Sequence, residues 1–198
     1  MEEAMKRVKY TVSTGNPFRY IAAVCALAAL FLTLFMIEPT WSTDVMVHSI
    51  NEKPAPDGYS LRFRLAEQVS AANIVMVVSE ISFIVLTLSS FINKRPWLTA
   101  IPMLLLSAVP AVSAAERGAE FSLAFMAELA VIALAALTLY GIIRIKIPAI
   151  IVTAAYAVLY FAATFRFGII GINGDLSAPP LMWAGFTLIL LAAKRSEE

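Results

Sequence analysis

The chain is poor in most of the side chains that reactive chemistry uses. A single cysteine, Cys25, excludes a disulfide within the chain and a multi-cysteine metal site. A single histidine, His48, argues against a haem held between two histidines and against a zinc centre built on histidines. Nowhere do His, Cys, Asp and Glu fall at metal-ligand spacing, and there is no phosphate loop, no Gly-x-Ser-x-Gly and no His-Glu-x-x-His. Its apolar stretches hold no Lys to act as a base and no pair of Asp, so the serine and aspartyl types of intramembrane protease lack their parts. No catalytic residue, metal or cofactor is therefore expected. Two glutamates acting as acid and base on a lipid substrate form the enzymatic alternative.

Charge is scarce as well. Charged residues are 15% of the 198 positions, against about 25% in an ordinary soluble domain. The 15 Lys/Arg and 14 Asp/Glu leave a net charge of +1, too little of one sign to bind nucleic acid. What is abundant is apolar: 60% of residues, with a mean hydropathy of +0.80. That composition places the chain among membrane proteins.

A helix crosses the hydrocarbon layer with about 20 mostly apolar residues. Six stretches qualify, at about 18–37, 71–92, 97–114, 121–143, 147–165 and 180–193. The last is short for a full crossing and needs a dip in the surface or shielding by its neighbours. The first follows Lys6, Arg7 and Lys9, but its apolar run exceeds the 7–15 residues of a signal-peptide core, so it reads as an uncleaved span. The expected fold is an all-α polytopic membrane protein, one transmembrane domain over 1–198.

Orientation follows from positive charge, because Lys and Arg near span ends resist translocation. With the N-terminus in the cytoplasm, the inner segments hold Lys6, Arg7, Lys9, Arg19, Lys94, Arg95, Arg144, Lys146, Lys194 and Arg195. The outer segments hold Lys53, Arg62, Arg64, Arg117 and Arg166. Every inner turn is basic, which favours six spans with both termini inside, and the cell (plasma) membrane is the expected location. The bilayer is then the first partner. Spans this small enclose a path by associating, so a homo-oligomer or a larger membrane complex is expected too.

One connection is long, the outer loop over 38–70. Val45, Val47 and Ser49 alternate with Met46, His48 and Ile50, and Tyr59, Leu61, Phe63 and Leu65 alternate with Ser60, Arg62 and Arg64. Between them lies Glu-Lys-Pro-Ala-Pro-Asp-Gly, and alternation on both sides of such a turn predicts a β-hairpin. A lone hairpin is marginal in water, so it needs a bundle, a membrane surface or a partner to lie on.

Two glutamates remain inside the spans, Glu80 in the second and Glu128 in the fourth. An ionised carboxylate at mid-membrane costs about 2.5–3.5 kcal/mol even on the lenient insertion scale, so such a group is protonated, paired, hydrated or facing a cavity. Counted from the outer span ends, both lie roughly 12–14 Å deep at 1.5 Å per residue. If their helices face each other, the pair can share a proton or hold a cation. Asn73 and Ser79 on the second span, and Tyr156 and Tyr160 on the fifth, are candidate supports. Arg166 and Asp175 are candidates for an outer gate. These features predict a transporter or channel for a proton, small cation or small solute. The alternative is a non-catalytic accessory or assembly subunit in which the glutamates tie helices together.

Spans two–three and four–five have the form of a parallel repeat. Each begins with a helix carrying a mid-span Glu and turns inside through Asn-Lys-Arg-Pro or Arg-Ile-Lys-Ile-Pro. Chain length, six spans and the Ala-x-x-x-Ala spacing of Ala22 and Ala26 resemble the substrate-binding subunits of vitamin-uptake transporters. No binding motif of that family is present, so no residue role is carried over.

Overall fold

The computed structural model describes residues 8–40, 58–63, 70–116, 123–166 and 174–196. It is mostly helical, with two small two-stranded sheets. Six long helices follow one another: α1 (Pro17–Leu34), α2 (Ala71–Leu88), α3 (Ala100–Glu116), α4 (Leu123–Tyr140), α5 (Ile147–Arg166) and α6 (Gly174–Ala192). A short helical turn, Phe91–Lys94, and a 3-10 turn, Pro96–Thr99, join α2 to α3.

Local chemistry sets the helix ends. The Asn16 side chain accepts from the Phe18 N–H at 3.0 Å and Pro17 takes the first helical position, where its missing N–H costs nothing. The Ser70 hydroxyl caps α2 by accepting from the Asn73 N–H at 3.1 Å. At the end of α4, Gly141 adopts φ +89°, a left-handed conformation that suits glycine, and turns the chain toward α5.

The first apolar run does not stay helical to residue 37. At Phe35 the backbone becomes extended and enters β2 (Phe35–Thr40), which pairs antiparallel with β3 (Gly58–Phe63) from Phe35↔Phe63 to Thr40↔Gly58. Pro39 accounts for the change, because in a continuing helix its ring would clash with the Phe35 carbonyl four residues back and it has no N–H to bond that carbonyl. Phe35 packs on Phe31 at 4.9 Å and on Phe63 at 5.6 Å between ring centroids, fastening the sheet to α1. The expected second arm at 59–65 overlaps β3, but β3 pairs with 35–40. The expected first arm at 45–50, His48 and the turn after it lie outside the described residues.

The last helix also differs from expectation. It begins at Gly174 rather than near residue 180 and carries Pro179 and Pro180 inside it. It is the most deeply packed element, with Ala178, Met182, Trp183, Phe186, Ile189, Leu190 and Ala192 all buried. Its main neighbours are α1 and α5, and it also touches α3. Contact with α1 is close because both faces are small. A Cβ on Gly185 would lie 3.2 Å from the Ala22 carbonyl oxygen. The other helices pack in sequence order, α1 on α2, α2 on α3, α3 on α4 and α4 on α5.

One end of the bundle is tied together by the chain segments that flank it. Before α1, β1 (Tyr10–Thr11) pairs antiparallel with β4 (Lys194–Arg195), which follows α6. The same segment donates from the Val8 N–H to the Gly141 carbonyl at 3.3 Å and from the Val12 N–H to the Asn93 carbonyl at 3.1 Å. Both basic turns, α2–α3 and α4–α5, therefore lie at the end where the two flanking segments meet.

Residue distribution is inverted relative to a water-soluble bundle. On α2, Ile74, Val78, Ile81, Val85 and Leu88 form an exposed stripe at alternating four- and three-residue spacing. On α1 the stripe is Phe18, Ile21, Val24, Leu27 and Phe31. The buried faces carry Arg19, Thr33, Asn73, Ser79, Glu80, Thr87, Ser107, Glu128, Thr138 and Thr153. Among the described residues, two helices, Pro17–Leu34 and Ala71–Leu88, are long and apolar enough to cross a membrane. Pro96–Val109, Phe125–Tyr140, Ile147–Ala162 and Ala178–Ala192 are shorter apolar segments.

Candidate functional site

Glu80 is fully buried at the interface of α1 and α2. The Thr33 hydroxyl, from the last turn of α1, donates to Glu80 Oε1 at 2.7 Å. The same hydroxyl lies 3.1 Å from the Ala29 carbonyl one turn back, so one proton serves two acceptors. Next to Glu80, the Ser79 hydroxyl donates to the Pro102 carbonyl at 2.6 Å, linking α2 to α3. Ser79 thus serves the neighbouring helix contact. Asn73 and Thr87, one heptad on either side of Glu80, are buried on the same face of α2.

Glu128 lies on α4 and is 7% exposed. The Tyr160 hydroxyl, from α5, donates to Glu128 Oε1. Tyr160 is flanked by Tyr156 at 6.4 Å between ring centroids, and Tyr156 lies 4.9 Å from the ring of Trp183 on α6. The carboxylate therefore borders an aromatic cluster contributed by α5 and α6. Around it, α4 packs on α3 and α5 over shorter stretches than α6 packs on α1 and α5.

The two acids do not share an interface. Helix α3 lies against both α2 and α4, while among the described residues α2 and α4 have no packing surface of comparable extent. Each carboxylate has its own hydroxyl partner, from α1 for Glu80 and from α5 for Glu128. Of the expected supports, Tyr160 meets Glu128, Tyr156 stands behind Tyr160, and Ser79 bonds elsewhere. Arg166 ends α5 and Asp175 is in the first turn of α6, while their side chains lie outside the described residues. Among the described residues no group of three His, Cys, Asp or Glu is placed to hold a metal ion.

Two residues central to these interfaces were not among the sequence candidates. Thr33 is one. The other is Arg19, which is 3% exposed although it stands at the basic end of α1. Its guanidinium donates to the carbonyls of Thr87 at 2.6 Å, Leu88 at 2.6 Å and Ser89 at 2.8 Å, and to Asn93 Oδ1 at 2.9 Å. These are the carbonyls that a helix C-terminus leaves without partners, and a cation there also meets the negative end of the helix dipole. A spacing signal exists in the sequence. Arg19, Ala22, Ala26, Ala29 and Thr33 recur at alternating three- and four-residue steps, so the small-residue face of α1 carries both polar side chains inward.

No protein-family model, curated protein or solved structure matches the chain, so the site is interpreted from its own chemistry.

Proposed function

We propose that the chain is an integral membrane protein of six spans with both termini in the cytoplasm, and that it acts as a transporter or channel for a proton, a small cation or a small solute. The inverted residue distribution supports the membrane setting. Apolar stripes of this length are rare on soluble monomers but are what lipid tails contact. The shared end of the two flanking segments supports an even number of crossings.

Transport rests on one observation, the Glu128 carboxylate hydrogen-bonded to the Tyr160 phenol across two different helices. A carboxyl and a phenol in contact can pass a proton, and a small cation can take the place of that proton on the carboxylate. Glu128 is the exchanging group, Tyr160 its partner, and Tyr156 orders Tyr160. Glu80 holds α1 to α2. Arg166 and Asp175, at the opposite end from the basic turns, form the outer gate. In proteoliposomes, the parent chain is expected to show pH-dependent flux that Glu128→Gln abolishes and Glu80→Gln leaves in place. Absence of flux from the parent chain would contradict this function.

A second function is favoured by the separation of the two acids into different interfaces. Each then serves as interhelical glue, and the chain is an accessory or assembly subunit of a membrane complex. Under that reading no flux is found at any pH, and deleting residues 44–65 releases a co-purifying partner.

A further inference from the structure

At the end tied by the flanking segments, the fold gathers cations with no acid among the described residues of those segments. The described segments that form this face, 8–16, 89–96, 141–147 and 193–196, contain no Asp or Glu. The nearest acids in sequence, Glu197 and Glu198, lie outside the described residues. Lys146, just before α5, reaches across to donate to the Ala193 carbonyl at 2.8 Å, beside Lys194 in the chain. Burial, and then the charge of Lys194, hold Lys146 below its usual pKa. Arg195 follows on β4, and both Lys194 and Arg195 are exposed.

This corner is built rather than loose. The Val8 N–H fixes the Gly141 carbonyl, and the Tyr10 hydroxyl fixes the Arg144 carbonyl at 2.9 Å. Pairing of β1 with β4 sets the backbone of Lys194 and Arg195. Like charges brought together by a pinned backbone repel, and an anion offsets that repulsion. Beside them Ile142, Ile145 and Ile147 are 54%, 64% and 62% exposed, a strongly apolar surface next to a cationic one. The geometry points to this corner as a binding site for an anionic phospholipid. Lys146, Lys194 and Arg195 meet the headgroup phosphate, and the three isoleucines meet the upper acyl chain. This inference rests on the reading that the helices span a bilayer.

The test uses the full chain in neutral detergent, titrated with phosphatidylglycerol, phosphatidylcholine or inorganic phosphate and followed by native mass spectrometry. Phosphatidylglycerol is expected to bind, and the other two are not. Lys194→Gln combined with Arg195→Gln is expected to weaken phosphatidylglycerol binding roughly 30-fold, at about fivefold per cation near a membrane surface. Lys146→Gln also loses the bond to Ala193, so Lys146→Arg, which keeps the charge, serves beside it and is expected to bind as the parent does. Equal binding of both lipids, or unchanged binding in the double variant, would overturn the site. Binding of inorganic phosphate in place of lipid would overturn the lipid as its source. Detergent phase partitioning separates the two levels of failure. A chain that enters the aqueous phase overturns the membrane reading and the site with it, whereas a detergent-phase chain indifferent to phosphatidylglycerol overturns the site alone.

Discussion

Glu80 and Glu128 are the same side chain on two helices of the same class, yet the bundle treats them differently. Glu80 sits between α1 and α2 with Thr33 on it, while the adjacent Ser79 ties α2 to α3 and Arg19 ties α1 to the end of α2. Glu128 sits where α4 and α5 pack over a shorter stretch, against one phenol and an aromatic cluster. The surroundings of a buried acid decide whether it fixes helices or exchanges its proton. An acid held among several close helix contacts has little room for the rearrangement that proton exchange needs, whereas an acid on a lightly packed helix, beside a titratable phenol, has more.

The largest effects that sharpen this contrast belong to Glu128 and Arg19. Glu128→Gln is expected to remove flux, by a factor of 100 or more, while the melting temperature in detergent changes little. Arg19→Met is expected to do the reverse. It leaves the carbonyls of Thr87, Leu88 and Ser89 without their donor, and each buried acceptor left unsatisfied costs about 1–3 kcal/mol. Denaturant unfolding in detergent measures it. A smaller effect is expected from Gly141→Ala. A Cβ there would lie 1.7 Å from the Val8 carbonyl oxygen, in a backbone conformation that disfavours side chains by roughly 1–2 kcal/mol. Proteolysis of the segment before α1 is expected to speed up in that variant.

Thr33→Val and Tyr160→Phe compare the two acids most evenly, since each removes one hydroxyl. Loss of a hydrogen bond to a buried polar group costs about 1–3 kcal/mol. Thr33→Val is expected to show that cost in stability with flux retained. Tyr160→Phe is expected to lower flux about tenfold with a smaller stability change, because α4 is already lightly packed. The smallest effect is expected from Gly185→Ala, where the added methyl presses on Ala22 and Phe83 and costs about 1 kcal/mol. Equal stability losses for Thr33→Val and Tyr160→Phe would erase the contrast.

Much of the helical layout was legible because long apolar runs have few alternatives to helix. Its failures have local causes. Phe35-Met36-Ile37 continues the apolar run of α1, and the change to strand is carried by Pro39 two residues later. Gly174–Ala178 precedes a proline pair, yet the helix passes through because α6 is buried among α1, α3 and α5. A basic residue at a span end usually reaches the headgroups, so Arg19 reads as surface charge by position alone. Its three- and four-residue register with Ala22, Ala26, Ala29 and Thr33 is the sign that it turns inward. Depth along a helix can be counted from sequence, and Glu80 and Glu128 are similar by that count. Which helix stands between them cannot be counted that way, although sequential neighbours pack most often, and α3 follows that rule.

In the proposed function Glu128, and not Glu80, changes protonation state. Infrared difference spectra of the protein in bilayers, recorded across a pH step, observe the carboxyl C=O band directly. A band that persists in Glu80→Gln and vanishes in Glu128→Gln is expected. A band lost in Glu80→Gln, or lost equally in both variants, would contradict it.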